Sequence, residues 1–128
     1  MTLDASVLIA ILFEESGYLD LVDRILAADQ VRVGTPTLVE TCIVCTGRGR
    51  TNAVEKVEGL LQELGVTVVP FGEREWYASV AAALQFGRGR HPARLNFGDC
   101  MSYAVAAVAN DSLMFLGDDF SKTDITAA

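Results

Sequence analysis

The sequence has little histidine and cysteine, the residues from which many catalytic and metal sites are built. His91 is the only histidine, which excludes any catalytic triad that needs more than one and leaves little to activate a nucleophilic serine. Cys42 and Cys45 have the spacing of a zinc knuckle, but no second pair exists and both fall in a predicted helix. Packing is the better interpretation of these two thiols, with a zinc site as the alternative.

Long apolar runs and basic residues are also scarce. The run from Ala5 to Phe13 is broken by Ser6, is far shorter than the roughly 20 residues of a membrane span, and follows no basic leader. Together with an odd number of cysteines, this predicts a cytoplasmic protein with reduced thiols and no membrane partner. The 10 basic residues against 17 acids give a net charge of −7, which argues against a passive nucleic-acid-binding protein. A nuclease is not excluded, because clustered acids bind divalent cations that in turn meet phosphate.

What the chain does contain is a regular alternation of short apolar strands and helices. Half of its 128 residues are apolar and no repeat or linker interrupts them, which predicts one folded domain over residues 1–128. The predicted order is strand, two helices, strand, two helices, strand, two helices, strand. Strands separated by helices pair in parallel through right-handed crossovers, so we expect an α/β protein with a central parallel sheet.

Two of the helices carry apolar stripes that predict parts of the core. In the helix predicted over 73–86, the residues expected to face inward are Trp76, Val80, Ala83 and Leu84. The last helix begins at Asn96, which can cap free backbone N–H groups, with Asp99 in the place of the acid of a capping box. An apolar stripe follows from Phe97 onward and is also expected to be buried.

Four acidic residues from distant parts of the chain are expected at one edge of this sheet. They are Asp4 at the end of the first strand, Glu40 just over one turn into its helix, Asp99 at the start of the last helix, and Asp118 beyond the last strand. Functional groups of parallel sheets gather beyond the carboxyl ends of the strands. Taken singly, each acid also has a structural explanation, as a cap, a partner of a helix N-terminus or a turn residue.

Together, these carboxylates indicate a divalent-cation site. Carboxylates at one rim repel one another and raise one another's pKa unless a cation neutralises them. Oxygen ligands suit Mg²⁺ or Mn²⁺, which keep several waters and take substrate phosphates as further ligands. The chemistry expected of such a site is phosphodiester hydrolysis, because the metal lowers the pKa of the attacking water and offsets charge on the leaving oxygen.

Four segments of the chain form a recognisable pattern. They are Asp4-Ala5-Ser6 after a short strand, Glu40 after Thr-Pro, Leu95-Asn96-Phe97-Gly98-Asp99-Cys100, and Gly117-Asp118-Asp119-Phe120 with Thr123-Asp124-Ile125. This pattern resembles the PIN-domain ribonucleases, and most closely their VapC toxin branch, over essentially the whole chain. The resemblance implies a PIN-like (Rossmann-like) α/β/α sandwich with four to five parallel strands, and Mg²⁺-dependent cleavage of RNA. It also implies a toxin homodimer that is inhibited by a small VapB-like antitoxin.

The resemblance further implies roles for individual residues. By position, the catalytic and metal-binding acids would be Asp4, Glu40, Asp99 and Asp118. Either aspartate of the Gly117-Asp118-Asp119 segment can align as the fourth acid, and Asp118 is favoured. The supporting residues would be Ser6, which matches a small hydroxyl residue that positions the metal or its waters, Asn96 and Asp119.

Three arginines lie in the loop just before Asp99, namely Arg88, Arg90 and Arg94. Arginine between glycines can reach a nucleic-acid backbone without ordering much else, so we expect these side chains to bind RNA phosphates. The alternative is a solvated loop with no RNA contact.

The sequence therefore predicts a Mg²⁺-dependent endoribonuclease that is the toxin of a toxin–antitoxin pair. One alternative is a housekeeping PIN nuclease that trims or matures RNA, and another is a non-enzymatic domain whose acids bind a basic peptide or a cation. The four acid positions with adjacent arginines favour the enzyme, and the bare domain without an added RNA-binding module favours the toxin. A short reading frame for a small antitoxin directly upstream would distinguish the toxin from the other two.

Overall fold

The computed structural model describes residues 1–128 and confirms the predicted order of strands and helices. The strands are β1 (Thr2–Leu3), β2 (Arg32–Gly34), β3 (Thr67–Val69) and β4 (Leu113–Met114). The helices are α1 (Ala5–Leu12), α2 (Tyr18–Leu26), α3 (Thr35–Gly47), α4 (Ala53–Leu64), α5 (Glu73–Phe86) and α6 (Phe97–Ala109), followed by a 3₁₀ turn at Phe120–Lys122. None of these helices has the length and apolarity needed to span a bilayer.

The four strands form one parallel sheet in the order β3-β2-β1-β4. Thr2 in β1 pairs with Arg32 on one side and with Leu113 on the other. The C-terminal segment adds a short parallel bridge outside β4, where Leu113 N–H donates to the Thr126 carbonyl at 2.8 Å. With helices on both faces, this is the predicted α/β/α sandwich.

Apolar residues form two clusters, and β4 contributes one side chain to each. Met114 packs with Leu3 and the residues of α1, α2 and α4, whereas Leu113 packs with Phe86 and Phe120. Neighbouring residues of a strand point to opposite faces of the sheet, so the two clusters are the two layers of the sandwich. All three cysteines are free thiols; Cys45 and Cys100 are buried, and Cys42 packs against the first cluster.

The predicted inward face of α5 is wrong. The predicted stripe, Trp76, Val80, Ala83 and Leu84, is exposed, Trp76 by 56% and Leu84 by 59%. The buried side of α5 consists of Ser79, Ala82 and Phe86. Phe97, expected in a buried stripe, is 80% exposed. Helical spacing shows which residues share a face, but not that another part of the same chain covers it.

Candidate active site

The candidate site lies at the edge of the sheet where the parallel strands end. Asp4 follows β1 directly, and β2 runs straight into α3, which carries Glu40 in its second turn. Asp99 lies in the first turn of α6, and the turn that holds Asp118 and Asp119 follows β4. The topology thus brings acids from four separate segments toward one edge.

Asp4 is only 6% exposed and is held by the start of its own helix. Its Oδ2 accepts hydrogen bonds from the Ser6 backbone N–H at 3.0 Å and from the Ser6 hydroxyl at 2.6 Å. The Ser6 Oγ in turn accepts from the Leu116 backbone N–H at 3.1 Å. Ser6 therefore ties Asp4 to the segment that leads into the Gly117–Asp119 turn, and Asp4 Oδ1 makes no hydrogen bond to the protein.

A reciprocal capping box fixes Asp99 at the start of α6. The Asp99 backbone N–H donates to Asn96 Oδ1, and the Asn96 backbone N–H donates to Asp99 Oδ2, both at 2.9 Å. The predicted capping box is confirmed, and it orients the carboxylate through a single oxygen. Asp99 Oδ1 is not used by the cap, so a structural role and a ligand role are compatible in the same side chain.

Glu40 reaches the same place from α3. Its carboxylate lies against Gly98 so closely that a methyl group on Gly98 would lie 2.5 Å from Oε2 and 2.7 Å from Oε1. Gly98 is the direct neighbour of Asp99 in the first turn of α6. The carboxylates of Glu40 and Asp99, far apart in the sequence, therefore adjoin the same helix turn.

Burial and neighbouring negative charges raise the pKa of two of these acids. The pKa of Glu40 is raised by burial first, and then by the charges of Asp4 and Asp99. The pKa of Asp99 is raised to about 6, mainly by burial and then by the charges of Asp4 and Asp119, while its backbone hydrogen bond opposes the rise. Asp4, Glu40 and Asp99 thus form one electrostatically connected group.

The turn after β4 places Asp119, rather than Asp118, in the field of this group. The charge of Asp119 acts on Asp99, and that of Asp118 is not among the causes of either raised pKa. The backbone carbonyl of Asp118 accepts a hydrogen bond from Ser121 Oγ at 2.6 Å, and its carboxylate makes none. The charge that Asp119 exerts on Asp99 supports Asp119 as the fourth acid, and the roles of both aspartates stay predictions.

Among the three loop arginines, Arg88 is the one that acts on the carboxylates. Its positive charge lowers the pKa of Asp99, as the hydrogen bond from the Asn96 backbone does, against burial and the neighbouring acids. Its backbone N–H donates to the Leu95 carbonyl at 3.2 Å, which joins the two ends of the loop. All three arginines are exposed and take part in none of the salt bridges. Arg88 is therefore the arginine with an electrostatic link to Asp99, and the RNA contacts of all three arginines stay predictions.

An apolar groove lies beside the site, and the sequence does not predict it. It has a volume of about 690 Å³ and is lined by side chains of α5 and α6, among them Trp76, Val80, Phe97 and Met101. Arg88 and Asn96 also line it, and they link the groove to Asp99. The signal for this groove is the apolar stripe of α5, whose helical spacing alone predicts a place in the core.

The donor set suits a hard divalent cation, although the side chains do not enclose one. No group of three or more histidine, cysteine, aspartate or glutamate side chains is placed to hold a metal ion. Mg²⁺ needs only one or two carboxylates, because it keeps several waters and accepts phosphate oxygens as further ligands. Asp4 Oδ1, Asp99 Oδ1 and the Glu40 carboxylate offer such oxygens, and a cation would relieve their repulsion. The chemistry of these oxygen donors therefore fits the cation, although the side chains are not drawn together around one in this structure.

The chain is similar to known proteins in both sequence and fold. The family model described as PIN domain matches residues 1–125. Ribonuclease VapC42 of Mycobacterium tuberculosis (strain H37Rv) is 37% identical over 129 residues, which cover 100% of this chain and 98% of that protein. The crystal structure of M. tuberculosis VapC20, a sarcin–ricin-loop-cleaving toxin, matches with a TM-score of 0.77 at 16% identity, covering 99% of this chain and 97% of that one. A toxin–antitoxin complex from Klebsiella pneumoniae matches with a TM-score of 0.70 at 17% identity, covering 99% and 95%.

Proposed function

The chain belongs to the PIN-domain family, and we propose that it is a Mg²⁺-dependent endoribonuclease that acts as the toxin of a toxin–antitoxin pair. The observation that carries the proposal is the convergence of Asp4, Glu40 and Asp99 at the carboxyl edge of the sheet, where burial and then neighbouring negative charges raise the pKa of the last two. The relative named ribonuclease VapC42, similar over its whole length, supports the same activity. We place the protein in the cytoplasm, where its RNA would be found.

In this proposal, the cation is held by Asp4, Glu40 and Asp99, with a fourth carboxylate from the turn after β4. The charge of Asp119 on Asp99 supports that residue, with Asp118 as the sequence-predicted alternative. When bound, Mg²⁺ or Mn²⁺ would lower the pKa of a water and offset negative charge at the scissile phosphate. The chain itself keeps the ligands in place, because Ser6 holds Asp4 and the capping box holds Asp99.

The RNA would be bound from the loop that carries Arg88. The electrostatic effect of its guanidinium on Asp99 supports a role for it in binding a phosphate next to the carboxylates. Arg90 and Arg94, exposed in the same loop, would add contacts to neighbouring phosphates. These contacts position the strand and carry no sequence information, so the choice of RNA lies elsewhere on the surface.

A cognate VapB-like antitoxin is the partner that we propose for silencing this site. An inhibitor that inserts an arginine or lysine among Asp4, Glu40 and Asp99 would pair with the carboxylates and displace the cation. Apolar side chains of an extended or helical tail would supply the rest of its affinity in grooves between helices. The structural similarity to a toxin–antitoxin complex agrees with this partner class.

A second copy of the chain is the other partner that we propose, bound to the outward face of α5. This face consists of Trp76, Tyr77, Val80 and Leu84 with the adjoining Phe97, and each of these is 47% or more exposed. Monomers rarely expose so large an apolar patch. Aromatic side chains bury about 150–250 Å² each, so the three partly exposed aromatics alone offer roughly 400 Å², about half of the roughly 800 Å² per partner of a stable interface. Because Phe97 lies between Asn96 and Gly98, dimerisation here would bring two candidate sites close together.

RNA cleavage by the purified chain tests the proposal. We expect cleavage with Mg²⁺ and none with EDTA, and a loss of about 100-fold or more in the Asp99→Asn variant. The matched control is Asp29→Asn, because Asp29 is exposed and lies before β2, at the opposite edge of the sheet. Full activity of a folded Asp99→Asn variant would remove Asp99 from the site, and cleavage that persists in EDTA would exclude the cation.

A further inference from the structure

We propose that Gly98 is a positioning residue whose missing side chain makes room for the Glu40 carboxylate beside Asp99. This inference rests on the proposed function, in which Glu40 helps to hold the cation. A methyl group on Gly98 would lie 2.5 to 2.7 Å from three atoms of the Glu40 carboxylate, well inside any van der Waals contact. An alanine at this position and the present Glu40 carboxylate therefore cannot occupy their places together.

The backbones of α3 and α6 cannot easily move apart to admit the extra methyl group. Helix α3 and the residue before it meet α6 along a seam of three pairs in opposite chain directions: Gly34, the last residue of β2, with Val105, then Thr37 with Ser102 and Glu40 with Gly98. A methyl group on Gly34 would lie 2.6 Å from the Val105 side chain. Thr37 and Ser102 are buried and share a hydrogen bond of 3.1 Å between their hydroxyls. Opening this seam would leave two buried hydroxyls unpaired.

The flexible Glu40 carboxylate is consequently the group that gives way. It lies at the end of a side chain with three rotatable bonds and is only partly buried, so it can turn toward solvent. Alanine is also a better helix residue than glycine. The Gly98→Ala variant should therefore keep or gain thermal stability while it loses affinity for a divalent cation. A merely structural role for Gly98 predicts the opposite, a loss of stability.

Mn²⁺ titration calorimetry and thermal unfolding of the full chain test this inference together. The variants are Gly98→Ala, Glu40→Ala and the double variant, with Gly59→Ala as the control. Gly59 lies inside α4 and an added methyl group there meets nothing within 4 Å. We expect Gly98→Ala and Glu40→Ala each to weaken Mn²⁺ binding about tenfold. The double variant should bind no more weakly than Glu40→Ala, because the methyl group then has no carboxylate to displace.

The outcomes separate this inference from the proposed function. If Glu40→Ala weakens Mn²⁺ binding and Gly98→Ala does not, the role of Gly98 is refuted and the proposed site stands. If Glu40→Ala leaves Mn²⁺ binding unchanged, or the wild-type chain does not bind Mn²⁺, both are overturned. If Gly98→Ala lowers the melting temperature, or weakens binding equally with and without Glu40, the glycine acts through the fold and the inference fails.

Discussion

Replacing Asp99 with asparagine should stabilise the metal-free protein at neutral pH, although it removes a proposed ligand. Folding raises the pKa of Asp99 from 3.8 to about 6, mainly because the carboxylate is buried and then because other acids lie close to it. A carboxyl group whose pKa is raised in the folded state binds its proton more tightly there, so its ionisation disfavours folding. Asparagine has nearly the same size, can accept the same hydrogen bond from the Asn96 N–H, and carries no charge.

The size of this effect follows from the pKa shift. One pKa unit corresponds to about 1.4 kcal/mol, so a rise from 3.8 to about 6 sets an upper limit of about 3 kcal/mol. Water screens the partly exposed carboxylate, and we expect about 1 kcal/mol of stabilisation in the variant. Below pH 3.8 both states are protonated and the effect is absent; it grows as the pH rises toward about 6 and is constant above that. The raised pKa of Glu40 acts in the same direction.

Urea unfolding in EDTA, near pH 4 and near pH 7.5, measures the effect in wild-type and Asp99→Asn protein. The variant should be more stable by about 1 kcal/mol near pH 7.5, and the difference should nearly vanish near pH 4. Saturating Mg²⁺ at the higher pH should stabilise the wild-type protein selectively, since only it keeps the full ligand set. A variant that is less stable by the same amount at both pH values would refute the electrostatic reasoning, because loss of the capping hydrogen bonds would then dominate.

Three further predictions concern RNA, the cell and the second copy. Alanine in place of Arg88, Arg90 and Arg94 should weaken RNA binding and lower the slope of log affinity against log salt by about one per lost phosphate contact; an unchanged slope would mean that the loop does not touch the backbone. Expression of the chain alone in its native host should arrest growth, and Asp4→Ala or the antitoxin should relieve the arrest, whereas harmless expression of soluble protein would contradict the toxin role. Trp76→Glu should lower the mass observed by light scattering to that of a monomer that keeps its helical circular dichroism, and an unchanged mass would exclude the α5 face.

The fold could be predicted from the sequence because residues close to one another in the chain determine where each helix begins and ends. Asn96 and Asp99 form the expected capping box, and the helix predicted over 73–86 has those bounds in the structure. Strands alternating with helices then leave few topologies, since parallel crossovers have one hand. Local signals of this kind do not depend on which surfaces later meet.

The outward face of α5 and the details of the site could not be predicted in the same way. The spacing of Trp76 and Leu84 is identical whether a sheet, a second chain or water covers that face. Ser102 is fully buried, and its hydroxyl is hydrogen-bonded to that of Thr37, 65 positions away. No pattern in the residues around Ser102 predicts that partner. The choice between Asp118 and Asp119 depends on which of the two carboxylates the short turn directs toward Asp99. The sequence does not show this, because the two residues are identical and adjacent.

The central claim is that Asp4, Glu40 and Asp99 hold a divalent cation. Anomalous diffraction at the manganese absorption edge, from crystals soaked in Mn²⁺, locates the ion directly. We expect a manganese peak among these three carboxylates, bound by oxygens of Asp4 and Asp99 with Glu40 bound directly or through water, and no peak in crystals of the Asp99→Asn variant. A peak bound elsewhere on the chain, or no peak at saturating Mn²⁺, would contradict the claim.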